Sequence, residues 1–300
     1  MGDQNFADVI IDRTRKLGHP LCVGLDPHVD RIPNVFFTNN GRKISPVEGM
    51  ATFFHEVVER LNGKVVAVKP QSAFFEQYGA KGIRVLEELI VTCKQQGTPV
   101  ILDAKRGDIG STASAYAALI DASRAESANA ITLNAYLGTE TIEPFLPHVI
   151  HGGAGIFVLV KTSNPGAAEF QGLTVDHDFL YCHVAKGLLR LLPETIGTCG
   201  WSSIGIVVGG TYPADAMRIR EILPHSIFLV PGYGAQGASV KDALAGFVKG
   251  PVCLEGGVVS ASRSILYPVG VEATAGEWEA AFDEAVSRSA HELQEASSQD

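Results

Sequence analysis

The stretch Val100-Ile101-Leu102-Asp103-Ala104-Lys105-Arg106-Gly107-Asp108-Ile109 decides how this chain is read. It opens as a short, mostly apolar run, Val100–Ala104, and passes directly into charges of both signs. Short apolar runs suit strands buried on both faces, the habit of parallel sheets covered by helices. Strand alternation points Asp103 and Lys105 to one side, so the spacing predicts an acid–lysine pair at the end of a buried strand.

The same unit recurs on either side of it: an apolar run, a polar turn, then an amphipathic helix. Eight strands are expected, at Leu21–Leu25, Val65–Lys69, Val100–Ala104, Ala130–Leu133, Ile156–Val160, Ile204–Val208, Ile227–Val230 and Val258–Ala261. Helical spacing covers Val47–Leu61, Gly82–Gln95, Thr112–Arg124, Thr141–His151, Phe179–Leu192, Pro213–Leu223, Val240–Val248 and Glu277–Leu293. Strands that alternate with helices predict a parallel sheet, and eight units close it into a (β/α)8 TIM barrel; an open doubly wound sheet is the alternative. One domain over residues 1–300 is expected, with an N-terminal helix within residues 1–19 (Phe6–Lys16) capping the barrel bottom and a frayed tail at 296–300. Two long segments, Asp26–Ser45 and Lys161 to about His177, follow strands and so fall on the face where barrel enzymes keep their sites.

Composition narrows the class. Apolar residues make up 46% and charged residues 19% of the 300, enough for one large core. The net charge of −9 and the lack of any Lys/Arg run argue against a nucleic-acid partner, while leaving room for a locally positive site for a small anion. Five scattered cysteines without a C-x-x-C read as reduced thiols. The first residues carry no apolar signal segment and no run is long enough to span a bilayer, so a cytoplasmic protein without a membrane partner is expected.

Candidate chemistry gathers at the strand ends. Strand 1 finishes in Asp26, strand 2 in Lys69 and strand 3 in Asp103-Ala104-Lys105. A lysine held by carboxylates stays protonated and can act as a positioned acid; a buried salt bridge is the plainer alternative. Pro231-Gly232-Tyr233-Gly234-Ala235-Gln236-Gly237 follows strand 7, and Ser260-Ala261-Ser262-Arg263-Ser264-Ile265 ends strand 8. Those two loops are the recurrent phosphate site of barrel enzymes, where small residues expose backbone N–H groups and an arginine can clamp the anion. Thr162-Ser163-Asn164-Pro165-Gly166 offers hydroxyls and an amide after strand 5, suited to a polar heterocycle or simply to a turn. His148 and His151 form H-x-x-H without a third ligand, so no metal is expected there. No dinucleotide, Walker or G-x-S-x-G fingerprint appears.

At these residues the chain resembles the orotidine 5′-phosphate decarboxylase family, and its longer bacterial branch in particular. The family's D-x-K-x-x-D-I element appears as Asp103, Lys105, Asp108 and Ile109. The resemblance implies a cofactor-free decarboxylase that converts orotidine 5′-phosphate to UMP and CO2, with Lys105, Asp103, Lys69 and Asp108 as catalytic residues. It likewise implies substrate contacts from Asp26, Thr112, Ser163, Gln236 and Arg263. Asp108 and Thr112 are supplied to the neighbouring subunit in that family, which implies a homodimer with shared sites. Three features depart from its short members: the long segment after Asp26, Ser262 before the arginine, and Gly110 where proline is frequent. Two other readings compete. A metal-dependent sugar-phosphate decarboxylase or aldolase of the same superfamily would need an acidic metal ligand where Lys69 stands. A phosphate-binding barrel without catalysis would not need the lysine–aspartate array.

Overall fold

A computed structural model describes residues 4–233 and 239–298. Eight strands form the barrel: β1 Leu21–Leu25, β2 Ala67–Pro70, β3 Ile101–Arg106, β4 Ala130–Leu133, β5 Gly155–Lys161, β6 Ser202–Val208, β7 Ser226–Val230 and β8 Gly257–Ala261. Neighbours in the sheet run β2-β1-β8-β7-β6-β5-β4-β3, all parallel. The ring closes between β2 and β3 through the parallel bridges Val68–Val100 and Gln71–Asp103. That second bridge sets the end of β2 beside Asp103, which is the first structural step toward the site.

Two layers of apolar side chains follow from this closure. Inside the barrel, Cys22, Ala67, Ile101, Ala130, Phe157 and Val258 form one cluster. Helix α1, Phe6–Leu17, closes its lower end with Phe6, Ala7, Ile10 and Ile11, and the Phe6 ring meets Phe157 edge-on at 5.9 Å. Asn5 caps α1 by accepting from Ala7 N and Asp8 N, and Asp8 fastens it to the loop before β6 by accepting from Thr198 N and Cys199 N. The outward faces of the strands pack against the surrounding helices in the larger cluster. Burying a Leu or Phe side chain contributes about 1.5–3 kcal/mol, so the helices are held by packing more than by propensity.

Helix boundaries move where local chemistry competes. Helix α2, Pro46–Leu61, starts in a Ser45/Glu48 capping box, and α3 spans Gly79–Gln95. The helix expected over Thr112–Arg124 is α4, Gly110–Ala117, followed by a 3-10 turn to Ile120; Asp121 then accepts from Ser123 N and ends it. Pro144 and Pro147 split the expected Thr141–His151 helix into 3-10 turns and the short helix Leu146–Ile150. The segment Val240–Val248 is helical only over Val240–Ala243, because Val248 pairs with Glu255 in a hairpin. Of the tail expected to fray at 296–300, residues 296–298 belong to the final helix Ala275–Ser298, in which Leu293 and Ser297 are buried; 299 and 300 lie outside the described residues.

The long segment after β1 is folded. It makes two 3-10 turns and a hairpin of Thr38–Asn39 with Arg42–Lys43, with Asn40 and Gly41 both at positive φ as a type I′ turn requires. Phe36 packs on Phe53 and Trp278, tying this segment to α2 and the last helix. All five cysteines are free thiols and four are buried; burial pushes the Cys22 thiol up to about 12. No helix among the described residues is long and apolar enough to cross a membrane.

Candidate active site

A cleft of about 530 Å³ opens at the C-terminal mouth of the barrel. Leu159, Val207 and Leu229 form its apolar floor, and polar side chains from the strand ends form its walls. Its charged lining consists of Lys69, Lys105 and Arg263 against Asp26 and Asp103, a net charge of +1 from three cations and two carboxylates. A chain of net charge −9 thus presents a locally positive pocket.

Asp103 lies at the centre of the array. Its Oδ2 accepts from Lys69 Nζ at 2.7 Å, and its Oδ1 accepts from Lys105 Nζ at 2.6 Å and from Thr132 Oγ1 at 2.9 Å. Burial alone would push this carboxyl up, but Lys69 and Lys105 outweigh it and hold Asp103 well below the usual carboxylate range. Burial likewise opposes the charge of Lys69, yet Asp103 and Asp26 raise its pKa above the ordinary lysine value. Both lysines therefore face an ionised carboxylate.

Lys105 reaches the cleft by a different route from simple alternation. Its φ is +47°, in the left-handed region, and the β3–β4 register slips between Leu102 and Arg106. A non-glycine residue held there costs about 1–3 kcal/mol, a strain that recurs at functional sites. Arg106 pairs with Glu76, donates to Ala104 O and stacks on Tyr116, holding the strand end after the slip.

The other expected residues divide into three groups. Asp26, Ser163 and Arg263 line the same cleft. Asp26 Oδ1 and Ser262 Oγ are buried there without a hydrogen-bond partner among the described residues, an arrangement suited to a polar ligand. Gln236 lies outside the described residues. Asp108 and Thr112 do not line the cleft of their own chain. Asp108 accepts from Ile109 N at 2.8 Å, and Thr112 is exposed on α4. Gly110 opens α4 with φ +54°, which proline at φ near −65° cannot adopt, so this departure from the family pattern is a backbone requirement.

Several residues that line the cleft or support its walls gave little or no sequence signal. Thr132 is a hydroxyl in an apolar strand, a cue that was available. Gln171 had none: it grips Thr162 from nine residues on, accepting from its N at 2.9 Å and donating to its Oγ1 at 2.8 Å. Gly209 is required by close approach, since a Cβ there would stand 2.8 Å from Ser163 Cα. Lys161, buried under the Ser163 turn, sits over the Tyr212 ring at 4.5 Å and 3.6 Å from Asp215.

The sequence profile of the orotidine 5′-phosphate decarboxylase / HUMPS family matches residues 19–275. The chain belongs to this family. Among its curated relatives, orotidine 5′-phosphate decarboxylase of Rhodopirellula baltica is 40% identical over 269 residues, covering 87% of this chain and 88% of that one. The enzyme of that name from Caldicellulosiruptor bescii is 39% identical over 276 residues, covering 88% and 90%. Among solved structures, the Leishmania donovani OMP decarboxylase superposes with a TM-score of 0.75 at 29% identity, covering 99% of this chain and 100% of that one. The structure from Methanocaldococcus jannaschii, at 19% identity and a TM-score of 0.61, shares the fold. Family membership covers the barrel from just before β1 to the start of the last helix, and so includes every strand that builds the cleft.

Proposed function

We propose that the protein decarboxylates orotidine 5′-phosphate to UMP and CO2, the last step of de novo pyrimidine biosynthesis, without a cofactor and with Lys105 as proton donor. The observation that carries this reading is the Lys69–Asp103–Lys105 array, set in a cleft that also holds Arg263. The bond from C6 to the carboxylate breaks and its electron pair stays on C6. Lys105 stabilises that developing charge, then gives its Nζ proton to C6; the neutral amine regains a proton from solvent. Asp103 lies beside the departing carboxylate and, with Lys69, holds Lys105 in place. Arg263, with Gln236, takes the phosphate, Asp26 the ribose, and Ser163 the pyrimidine. Binding energy at the phosphate, remote from C6, is then available to orient the reacting end.

The placement of Asp108 and Thr112 supports a homodimer. Both lie away from their own cleft, and Ile109, Tyr136 and Leu137 near them are exposed apolar side chains. In this reading each chain lends Asp108 and Thr112 to its partner's array. The protein works in the cytoplasm on a free nucleotide, with neither nucleic acid nor membrane as partner.

The sugar-phosphate branch of the same family is the second reading. It places an acidic metal ligand at the end of β2, where this chain has Lys69, ion-paired and buried. Among the described residues no group of three or more His, Cys, Asp and Glu is arranged to hold a metal.

The deciding experiment follows the ultraviolet absorbance of orotidine 5′-phosphate with and without EDTA, on the protein and on Lys105→Ala. Turnover by the protein that EDTA leaves unchanged and Lys105→Ala lowers by about 10³-fold or more is expected. Activity restored by Mg²⁺ after chelation, or near-normal turnover by Lys105→Ala, overturns the reading.

A further inference from the structure

Thr132 lies in β4, between Ile131 and Leu133, and is 1% exposed. Its hydroxyl accepts the backbone N–H of Lys105 at 2.9 Å and donates to Asp103 Oδ1 at 2.9 Å. The same Oδ1 receives the Lys105 ammonium at 2.6 Å. One hydroxyl therefore closes a hydrogen-bonded ring that includes both ends of Lys105, its main-chain amide and its side-chain head.

The backbone explains why such a contact is needed. The slip between Leu102 and Arg106 takes Lys105 out of the β3–β4 ladder, where it stands at a φ of +47°. A partly buried N–H without a ladder partner needs another acceptor. The Thr132 oxygen supplies one. Because that N–H occupies the acceptor side, the hydroxyl proton is left to point at Asp103. The Lys105 side chain is 43% exposed, and the position of its head comes from its backbone and from Asp103, both of which Thr132 touches.

We propose that Thr132 is a positioning residue: its hydroxyl locks Lys105 in the left-handed conformation that presents Nζ to Asp103 and to the reacting carbon. The proposal rests on Lys105 as proton donor. Valine matches threonine in shape and lacks the hydroxyl; serine keeps the hydroxyl and lacks the methyl.

The test compares Thr132→Val and Thr132→Ser by kcat and KM on orotidine 5′-phosphate, by UMP affinity, and by hydrogen exchange of the Lys105 amide. For Thr132→Val, kcat falls about 50-fold or more while the Kd for UMP stays within about 3-fold, since a misplaced catalytic group costs rate rather than product binding. Lys105 amide exchange speeds up about 10-fold or more in the same variant. Thr132→Ser keeps kcat within about 5-fold and exchange within about 3-fold of the parent, because it keeps the hydroxyl. A Thr132→Val kcat within about 3-fold of the parent, or an equal loss in Thr132→Ser, overturns the proposal. If thermal melting shows that Thr132→Val does not fold, Thr132→Ala is judged by the same criteria. If the parent protein does not decarboxylate orotidine 5′-phosphate, the decarboxylase reading falls, and the amide exchange alone then decides the role of Thr132.

Discussion

Asp103 holds three donors on two oxygens, and its ionisation governs the array. Its folded pKa is depressed, so the stability it contributes is present above the unfolded value near 3.9 and is lost as pH falls through the folded one. Lys69 is the opposite case. Its folded pKa is raised, so its contribution is fully present below about 10.4 and is lost as pH rises through the folded value. The pair is therefore fully charged across neutral pH, and its contribution to stability is flat from about pH 5 to 9. Urea unfolding measured over that range and down to pH 3 tests this; a fall assignable to Asp103 already at pH 6 contradicts it. Removing one partner leaves a buried charge uncompensated, so Asp103→Asn should cost about 3–5 kcal/mol at pH 7 in the same assay. The charged residues at this scale were legible as strand-end letters, Asp26, Lys69, Asp103 and Lys105. What their order did not disclose is that Lys105 leaves the strand conformation to reach its partner.

Elements bring these residues together by approaches that side-chain volume controls. The Ser163 turn after β5 rests on the end of β6, where Lys161 O accepts from Gly209 N at 2.8 Å and a Cβ on residue 209 would stand 2.9 Å from Ser163 Cβ. Gly209→Ala should therefore displace the turn, costing about 1–3 kcal/mol of stability by overpacking. It should also raise KM for orotidine 5′-phosphate about tenfold, each factor of ten corresponding to ~1.4 kcal/mol. Steady-state kinetics with thermal melting measure both, and an unchanged KM removes Gly209 from the account of the site. Strand positions were readable because buried parallel strands are short and apolar. The helix ends were less so, because Asp121, Pro144 and Pro147 act through local turns that the 3.6-residue spacing of apolar residues does not register.

The whole molecule adds closure and, in the proposed dimer, a second chain. If Asp108 serves the neighbouring site, a mixture of Lys105→Ala and Asp108→Ala forms hybrids in which one site has both residues intact. Random exchange makes half the dimers hybrid with one good site of two, so activity should return to about a quarter of the parent level. Mass spectrometry of the mixed subunits verifies exchange, and no recovery after proven exchange argues that each site is built from one chain. Apolar periodicity was by itself enough to determine the eight-unit α/β order of this chain, because a strand covered on both faces and a helix covered on one leave different patterns. The charged strand ends likewise marked which mouth of the barrel bears the candidate cleft. Only the tertiary structure decided the rest: the β2–β3 closure that sets Lys69 beside Asp103, the slipped strand that turns Lys105 inward, and the hydroxyl of Thr132 that bridges them. These are contacts between residues distant in the chain, and they depend on distances and backbone angles that residue type and spacing do not encode.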